Sequence, residues 1–305
     1  MISRIINNIK RNTAAASRID VGGYSLNSLL LEAVGRTELK SVVFIHGAST
    51  SLSDPLLSFR AKFEGRAQIL FVDRPGHGAS DQGSATNVLP DGQADAVATL
   101  MEKRGMRRAI IVGHSFGGAV AAALALRHPE KVTGLVFLSP ALYPWSGGVA
   151  WYYSAACVPV LGYAFSILIV PFLGLMAINR ATKAVFAPQA PPRRYIWKTR
   201  ALQAITPAKF RHNAKEIVAL SSWAEAASTS YTRIHVPTVI ITGDKDAIVS
   251  PEVHARQLSR DIAGSKLIVV PGIGHKSDFC AGDLVVAAIE DISAETGPDV
   301  CDRMA

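Results

Sequence analysis

Cysteine is scarce in this chain. Its 305 residues include three, Cys157, Cys280 and Cys301. They are odd in number and scattered, which fits reduced thiols in a cytoplasm rather than a disulfide framework. No cysteine–histidine cluster has zinc-ligand spacing, so no metal is implied. No P-loop is present and no G-x-G-x-x-G follows the first strand, so no nucleotide cofactor is implied. The N-terminus lacks a continuous apolar run and a small-residue cleavage site, and does not read as a secretory signal. No internal repeat or low-complexity tract stands out. Charge is absent from one long stretch, because Ala141 to Asn179 contains no charged side chain.

Against these absences one hexapeptide stands out. Ala109-Ile110-Ile111-Val112 has the composition of a fully buried strand. It runs into Gly113-His114-Ser115-Phe116-Gly117-Gly118, and Ala119 to Arg127 is Ala- and Leu-rich and predicts a helix. G-x-S-x-G between a strand and a helix is a nucleophile elbow, with Ser115 at the tip of a strained turn. Gly113 and Gly117 are required where a Cβ would clash as strand and helix fold past each other. The helix start at Phe116 and Gly117 aims backbone N–H groups at negative charge near Ser115.

A serine hydroxyl is a weak nucleophile and needs a base, which needs an orienting acid. The strand Thr238–Thr242 is followed by Gly243-Asp244-Lys245-Asp246. The G-x-x-D spacing favours Asp246 as the acid, with Asp244 bracing the turn. The last strand, Lys266–Val270, is followed by Pro271-Gly272-Ile273-Gly274-His275. His275 on this loop can reach a serine with one ring nitrogen and an aspartate with the other. Of the other histidines, His128, His212, His235 and His254 lack such a context and read as surface or helix-end residues. His114 reads as packed beneath the nucleophile.

Strands and helices alternate along the chain, which predicts an α/β fold with a mainly parallel sheet flanked by helices. The expected strands are Ile19–Val21, Ser25–Glu32, Ser41–Ile45, Gln68–Val72, Ala109–Val112, Val132–Leu138, Thr238–Thr242 and Lys266–Val270. The first two pair as a hairpin through Gly22-Gly23. Helices are expected near Leu56–Phe63, Pro90–Lys103, Pro251–Leu258 and Gly282–Asp291. Ser115, Asp246 and His275 each follow a strand, at the carboxyl ends where such sheets carry their sites.

Five motifs in this order resemble the α/β-hydrolase superfamily, in the branch with a serine nucleophile and a cap domain. They are Phe44–Ser49, Asp73–Ser80, the elbow, the Gly243–Asp246 loop and the Gly272–His275 loop, and they cover about two-thirds of the chain. The resemblance implies a core of residues 1–140 and 234–305, with a helical cap, 141–233, inserted after the sixth strand. It implies an oxyanion hole from the backbone N–H groups of Ala48 and Phe116, a structural His46, and a Ser115–His275–Asp246 triad that needs no cofactor. The expected activity is hydrolysis of a small or medium apolar carboxylic ester or lactone. Carbon–carbon bond hydrolysis, amide hydrolysis, perhydrolysis and a non-catalytic receptor role stay open, because one fold hosts many chemistries.

The uncharged stretch is long enough for a membrane span. Pro159, Gly162, Pro171 and Gly174, and its place between two halves of one core, favour short cap helices instead. Trp145, Trp151, Tyr152, Phe165 and Phe172 are candidate pocket residues, with the core of the cap itself as the competing role. Arg193–Lys215 is basic, which reads as a solvated face able to attract an anionic substrate or membrane. The net charge is +8. No nucleic-acid recognition motif accompanies it, so nucleic acid is not an expected partner. Ile2, Ile5, Ile6 and Ile9 have helical spacing, for a helix packed on the core or lying on a membrane. A cytoplasmic enzyme with possible peripheral membrane contact through this helix or the cap is therefore expected, and its oligomeric state is not encoded in any motif.

Overall fold

Five consecutive strands have almost no polar side chains, and the fold buries them on both faces. The computed structural model describes residues 15–35 and 39–297. The expected helix at Ile2–Ile9 and Cys301 lie outside the described residues. In chain order the strands are β1 (Ser17–Asp20), β2 (Ser25–Leu31), β3 (Val42–Ile45), β4 (Ile69–Val72), β5 (Ala109–His114), β6 (Val132–Leu138), β7 (Thr238–Gly243) and β8 (Lys266–Val270). They form one sheet in the order β1-β2-β4-β3-β5-β6-β7-β8. β1 and β2, and β2 and β4, pair antiparallel, and the remaining neighbours pair parallel. Every residue of β3 to β7 is buried, as sheets covered on both sides require. The β1–β2 turn uses Gly22 and Gly23 at φ 114° and 91°, and the Asp20 carboxylate accepts both their N–H groups at 2.8 and 3.1 Å.

The covering helices are α1 (Ser53–Phe63), α2 (Pro90–Lys103), α3 (Phe116–Arg127), α9 (Ala255–Asp261), α10 (Ser277–Cys280) and α11 (Gly282–Thr296). α2, α3 and α9 share one apolar core with one face of the sheet, and α1 and α11 share a second core with the other. The alanines of α3 bring its backbone close to the sheet, and ten of its residues are buried. α9 begins at Ala255 rather than Pro251, because residues 251–254 form turns ahead of it.

Between β6 and β7 lies an insertion with α4 (Trp151–Cys157), α5 (Leu161–Leu168), α6 (Val170–Phe186), α7 (Tyr195–Lys198) and α8 (Pro207–Ser228). Among the described residues no single helix is long and apolar enough to cross a membrane, and α5 and α6 meet at a 61° bend. The breaks have local causes. Val158 is extended ahead of Pro159, as the residue before proline prefers, and Pro171 sits in the first turn of α6.

Candidate active site

β5 delivers Ser115 to the carboxyl edge of the sheet. Its backbone is left-handed, at φ 53° and ψ −119°, a strained conformation for a non-glycine residue. The surroundings hold it there. Ser115 N–H donates to Leu138 O at 2.9 Å, and its carbonyl accepts from Gly118 at 2.9 Å and Ala141 at 3.2 Å. A Cβ at Gly113 would strike the carbonyl of Gly117, and a Cβ at Gly117 would strike that of Ile45. Strand, elbow and the β3 turn are therefore in backbone contact.

The β3 turn carries Ala48. Among the described residues, no hydrogen-bond acceptor takes the backbone N–H of Ala48 or of Phe116. Both donors flank Ser115, one from the neighbouring turn and one from the first residue of α3. One side chain of α8, Asn213, clamps the turn through both its amide atoms. Asn213 Oδ1 accepts Ser49 N–H at 2.7 Å, and Asn213 Nδ2 donates to Ser49 Oγ at 2.9 Å.

β7 and β8 bring Asp246 and His275 together. His275 Nδ1 donates to Asp246 Oδ2 at 2.8 Å, which leaves Nε2 as an acceptor. Asp246 also accepts the N–H groups of Ile248 and Val249 at 2.9 and 2.8 Å. Burial pushes its pKa up, but the bonds from His275 and these amides outweigh that and hold the carboxylate below its ordinary range. Asp244 points elsewhere and accepts Gly272 N–H at 2.6 Å. His114 packs on His275 with ring centres 4.9 Å apart and donates from Nε2 to the His275 carbonyl at 3.0 Å. This places His275 beside the residue preceding Ser115. Among the described residues no hydrogen bond joins Ser115 Oγ to His275. The insertion also grips the histidine loop. Gln189 donates to Gly272 O at 2.7 Å and accepts Gly274 N–H at 3.2 Å.

Behind the site lies a charge network absent from the sequence reading. Arg74 is fully buried. It donates to Glu216 at 3.0 Å, to Gln93 at 2.8 Å, and to the carbonyls of His46 and Gly47, both at 3.0 Å. The Gly47 carbonyl and the Ala48 N–H belong to one peptide group and point in opposite directions. Arg74 therefore fixes the direction of that N–H. His77 donates to Glu216 at 2.8 Å, and His212 Nε2 lies 3.3 Å from the same carboxylate but off the hydrogen-bond direction. Burial pushes Glu216 up, yet Arg74 and His77 outweigh it and hold its pKa well below the usual range. Burial lowers His77 to about 4, and lowers His46 far below its usual value with Arg74 and His77 adding repulsion. Glu216 had one sequence signal: it is the sole acid from Lys131 to Ala224.

A second network sits under His275. The buried Lys276 donates to Asp54 at 2.7 Å and to Asp278 at 2.9 Å, and Tyr195 of α7 donates to Asp54 at 2.7 Å. Two triads of ligand-type atoms, His77–His212–Glu216 and Asp54–His114–Asp278, lie within 4.8 Å. Glu216 of the first is paired with the buried Arg74, and both carboxylates of the second share the buried Lys276.

Two groups of side chains differ from the sequence expectation. His212 is buried inside α8, and His254, although at a helix end as the N-cap of α9, is buried rather than at the surface. His254 Nδ1 accepts the N–H groups of Leu142 and Tyr143, so it braces the chain leaving β6. Of the five pocket candidates, Trp151 and Phe172 are each 68% exposed and Tyr152 is exposed as well. Phe165 is half-buried against Trp151, and half-buried Trp145 donates to Gly148 O. None of the five lines the small cleft beside the β3 turn, which is formed by Ser49, Thr50, Thr199, Lys209, Asn213 and neighbours. The reason is steric. The insertion helices meet through Ala156, Gly162, Ser166 and Gly174, and a Cβ on Gly162 would strike the Ala156 carbonyl. Small contacts of this kind turn the large side chains outward.

The family model for the alpha/beta hydrolase fold matches residues 40–277. The chain belongs to this family. Similar curated proteins give this hydrolase its context. The pimeloyl-[acyl-carrier protein] methyl ester esterase of Neisseria meningitidis is 27% identical over 80% of the chain and 91% of the esterase. A local match, 36% identical over 101 residues, covers 33% of the chain and 26% of the dihydrolipoyllysine-residue acetyltransferase component of the acetoin cleaving system of Cupriavidus necator. The hydrolase thus spans about a quarter of that protein. Among solved structures, the enol-lactonase from Burkholderia xenovorans LB400 has the same fold, with TM-score 0.73 and 20% identity over 91% of the hydrolase and all of that chain.

Proposed function

We propose that the hydrolase cleaves small or medium apolar carboxylic esters or lactones through an acyl-enzyme on Ser115. The observation that carries this reading is the Asp246–His275 hydrogen bond, set beside a strained Ser115 flanked by two unused backbone donors. His275 Nε2 takes the Ser115 proton as Oγ attacks the carbonyl carbon. The N–H groups of Ala48 and Phe116 receive the oxyanion, each contributing about 2.7–4 kcal/mol to barrier lowering. His275 then protonates the leaving alkoxide, and water repeats the sequence to release the acid. Asp246 keeps the His275 proton on Nδ1 and stabilises the imidazolium. Catalytic hydrogen bonds of the Ser115–His275 kind tighten when substrate is bound. The insertion acts as the cap, and its contacts from Gln189 and Asn213 support that role. Carboxylic ester and lactone bonds are also the ones named in the esterase and enol-lactonase above.

The test is a p-nitrophenyl ester series of increasing acyl length, with Ser115→Ala as control. The expected result is turnover with a length optimum, reduced by about a thousandfold or more in the variant. Equal turnover by Ser115→Ala would overturn the assignment of the nucleophile, and no turnover from folded wild type would overturn the ester reading.

A further inference from the structure

Helices α4 to α6 are built inside out. Most surface helices bury an apolar stripe and expose polar residues. In α5 the two buried residues are Gly162 and Ser166, while Leu161 and Leu168 are more than 70% exposed. Ser166 satisfies its hydroxyl internally by donating to Gly162 O at 2.7 Å, so its burial costs little. In α6 the end residues Val170 and Phe186 are buried, and between them the partly covered positions are Pro171, Gly174, Ile178, Thr182 and Val185, one stripe at helical spacing. Phe172, Leu175 and Met176 stand outside it, 59–69% exposed.

This is not ordinary surface apolarity. Single exposed hydrophobic residues are normal, but contiguous patches mark contacts. Fifteen of the twenty-one large hydrophobic side chains exposed among the described residues lie between Trp151 and Leu202. The rest of the surface shares six. A small, polar interior and a large, apolar exterior suit an apolar surrounding medium.

Charge says what that medium is bordered by. From Ala141 to Lys215 there are nine lysines and arginines and no acid. The cations follow the apolar run rather than mixing with it. In α6 the exposed face changes from Phe172 and Met176 to Arg180 and Lys183 within three turns. Trp197, 78% exposed, sits among Arg194, Lys198 and Arg200. An exposed indole among cations, shortly after an exposed aliphatic run in the chain, is the chemistry of a lipid headgroup boundary, where aromatic rings and basic side chains settle. A second protein surface would need acids to match the cations, and this chain offers none of its own within the patch.

We propose that α4 to α6, with the basic residues of α6 and α7, dock the hydrolase peripherally on an anionic lipid bilayer. The aliphatic side chains enter the headgroup–acyl boundary, and the cations meet anionic phosphates. No helix crosses the bilayer in this arrangement. The inference is independent of the ester reading, because it concerns the outer face of the insertion rather than Ser115.

The experiment is co-sedimentation of the full chain with phosphatidylcholine vesicles and with vesicles containing phosphatidylglycerol, at low and high salt, while tryptophan emission is followed. The expected result is binding to the phosphatidylglycerol vesicles, weakened by salt, with a blue shift from Trp151 and Trp197. The variant Leu161→Ser/Leu168→Ser/Met176→Ser should lose about tenfold or more of the binding, and Arg180→Glu/Lys183→Glu should lose the preference for anionic lipid. All five positions are exposed, so both variants should keep the wild-type melting curve and turnover of soluble ester, and those measurements serve as folding controls. No binding to either vesicle would overturn the proposal. So would unchanged binding by the triple variant. Self-association in lipid-free buffer that the triple variant abolishes would overturn it in favour of a second copy as the occupant. Loss of ester turnover by Ser115→Ala with vesicle binding intact would separate this surface from the catalytic reading.

Discussion

The insertion between β6 and β7 holds two kinds of helix. α8 behaves as part of the core. It buries Leu220, Trp223 and Ala224 in the same apolar cluster as α2 and α3, and places Glu216 on Arg74. α4 to α6 bury little apart from Val170 and Phe186 at the two ends of α6, and expose most of their other large side chains. Both belong to one uninterrupted segment of chain, and both contain lone features a composition count would overlook. The difference teaches that apolarity alone does not place a helix. The contact residues decide: His212, Asn213 and Glu216 face inward on α8, whereas Gly162 and Ser166 do so on α5. A helix that offers charge and amides to a polar site is drawn in. A helix that offers only small contacts sends its bulk outward.

This contrast can be broken in order of expected effect. The site lies on the core and α8 side, so its acid should matter most. Asp246→Asn should lower kcat by about 10⁴, the size expected when the base loses its orienting carboxylate. Asp244→Asn, which loses a bond to Gly272, should lower it by less than about tenfold. Steady-state kinetics on a p-nitrophenyl ester decides, and the reverse order would reassign the acid.

Next comes the α8 anchor. Glu216→Ala leaves Arg74 buried without its carboxylate and should cost about 3–5 kcal/mol of stability in urea unfolding. It should also lower kcat, because Arg74 positions the Gly47–Ala48 peptide. A variant as stable as wild type would show that α8 is no more a core helix than α5.

The most gradual effect is a pH dependence, spread over more than two pH units. Burial lowers His77 and His254 to about 4, from an ordinary value near 6.5. Above pH 6.5 both are neutral in folded and unfolded chains and cost nothing. Below it the unfolded chain takes up protons that the folded chain refuses, so stability falls as pH drops from 6.5 towards 4. Each contributes about 1.4 kcal/mol per pH unit in that window. Urea unfolding midpoints across this range check it, and a flat profile would show these rings are accessible to protons in the folded state.

The parts of the fold written in local pattern were readable from sequence. The buried strands, the glycines of the elbow and the order of Ser115, Asp246 and His275 are short-range signals, and strand edges moved by one or two residues. Long-range pairing was not readable. Nothing near Glu216 announces Arg74, which lies 142 residues away. Nothing near His254 announces the amides of Leu142 and Tyr143, and nothing near Lys276 announces Asp54. The aromatic residues Trp151, Tyr152 and Phe172 misled for a different reason. Their apolarity suggested a lining, but the small residues beside them set the direction in which they point.

One amide joins the insertion to the histidine loop. Gln189 holds Gly272 with its nitrogen and Gly274 with its oxygen, so the turn bearing His275 is buttoned to the chain that follows α6. If the insertion is the cap proposed above and His275 the base, a movement of the cap pulls directly on the loop that carries the base.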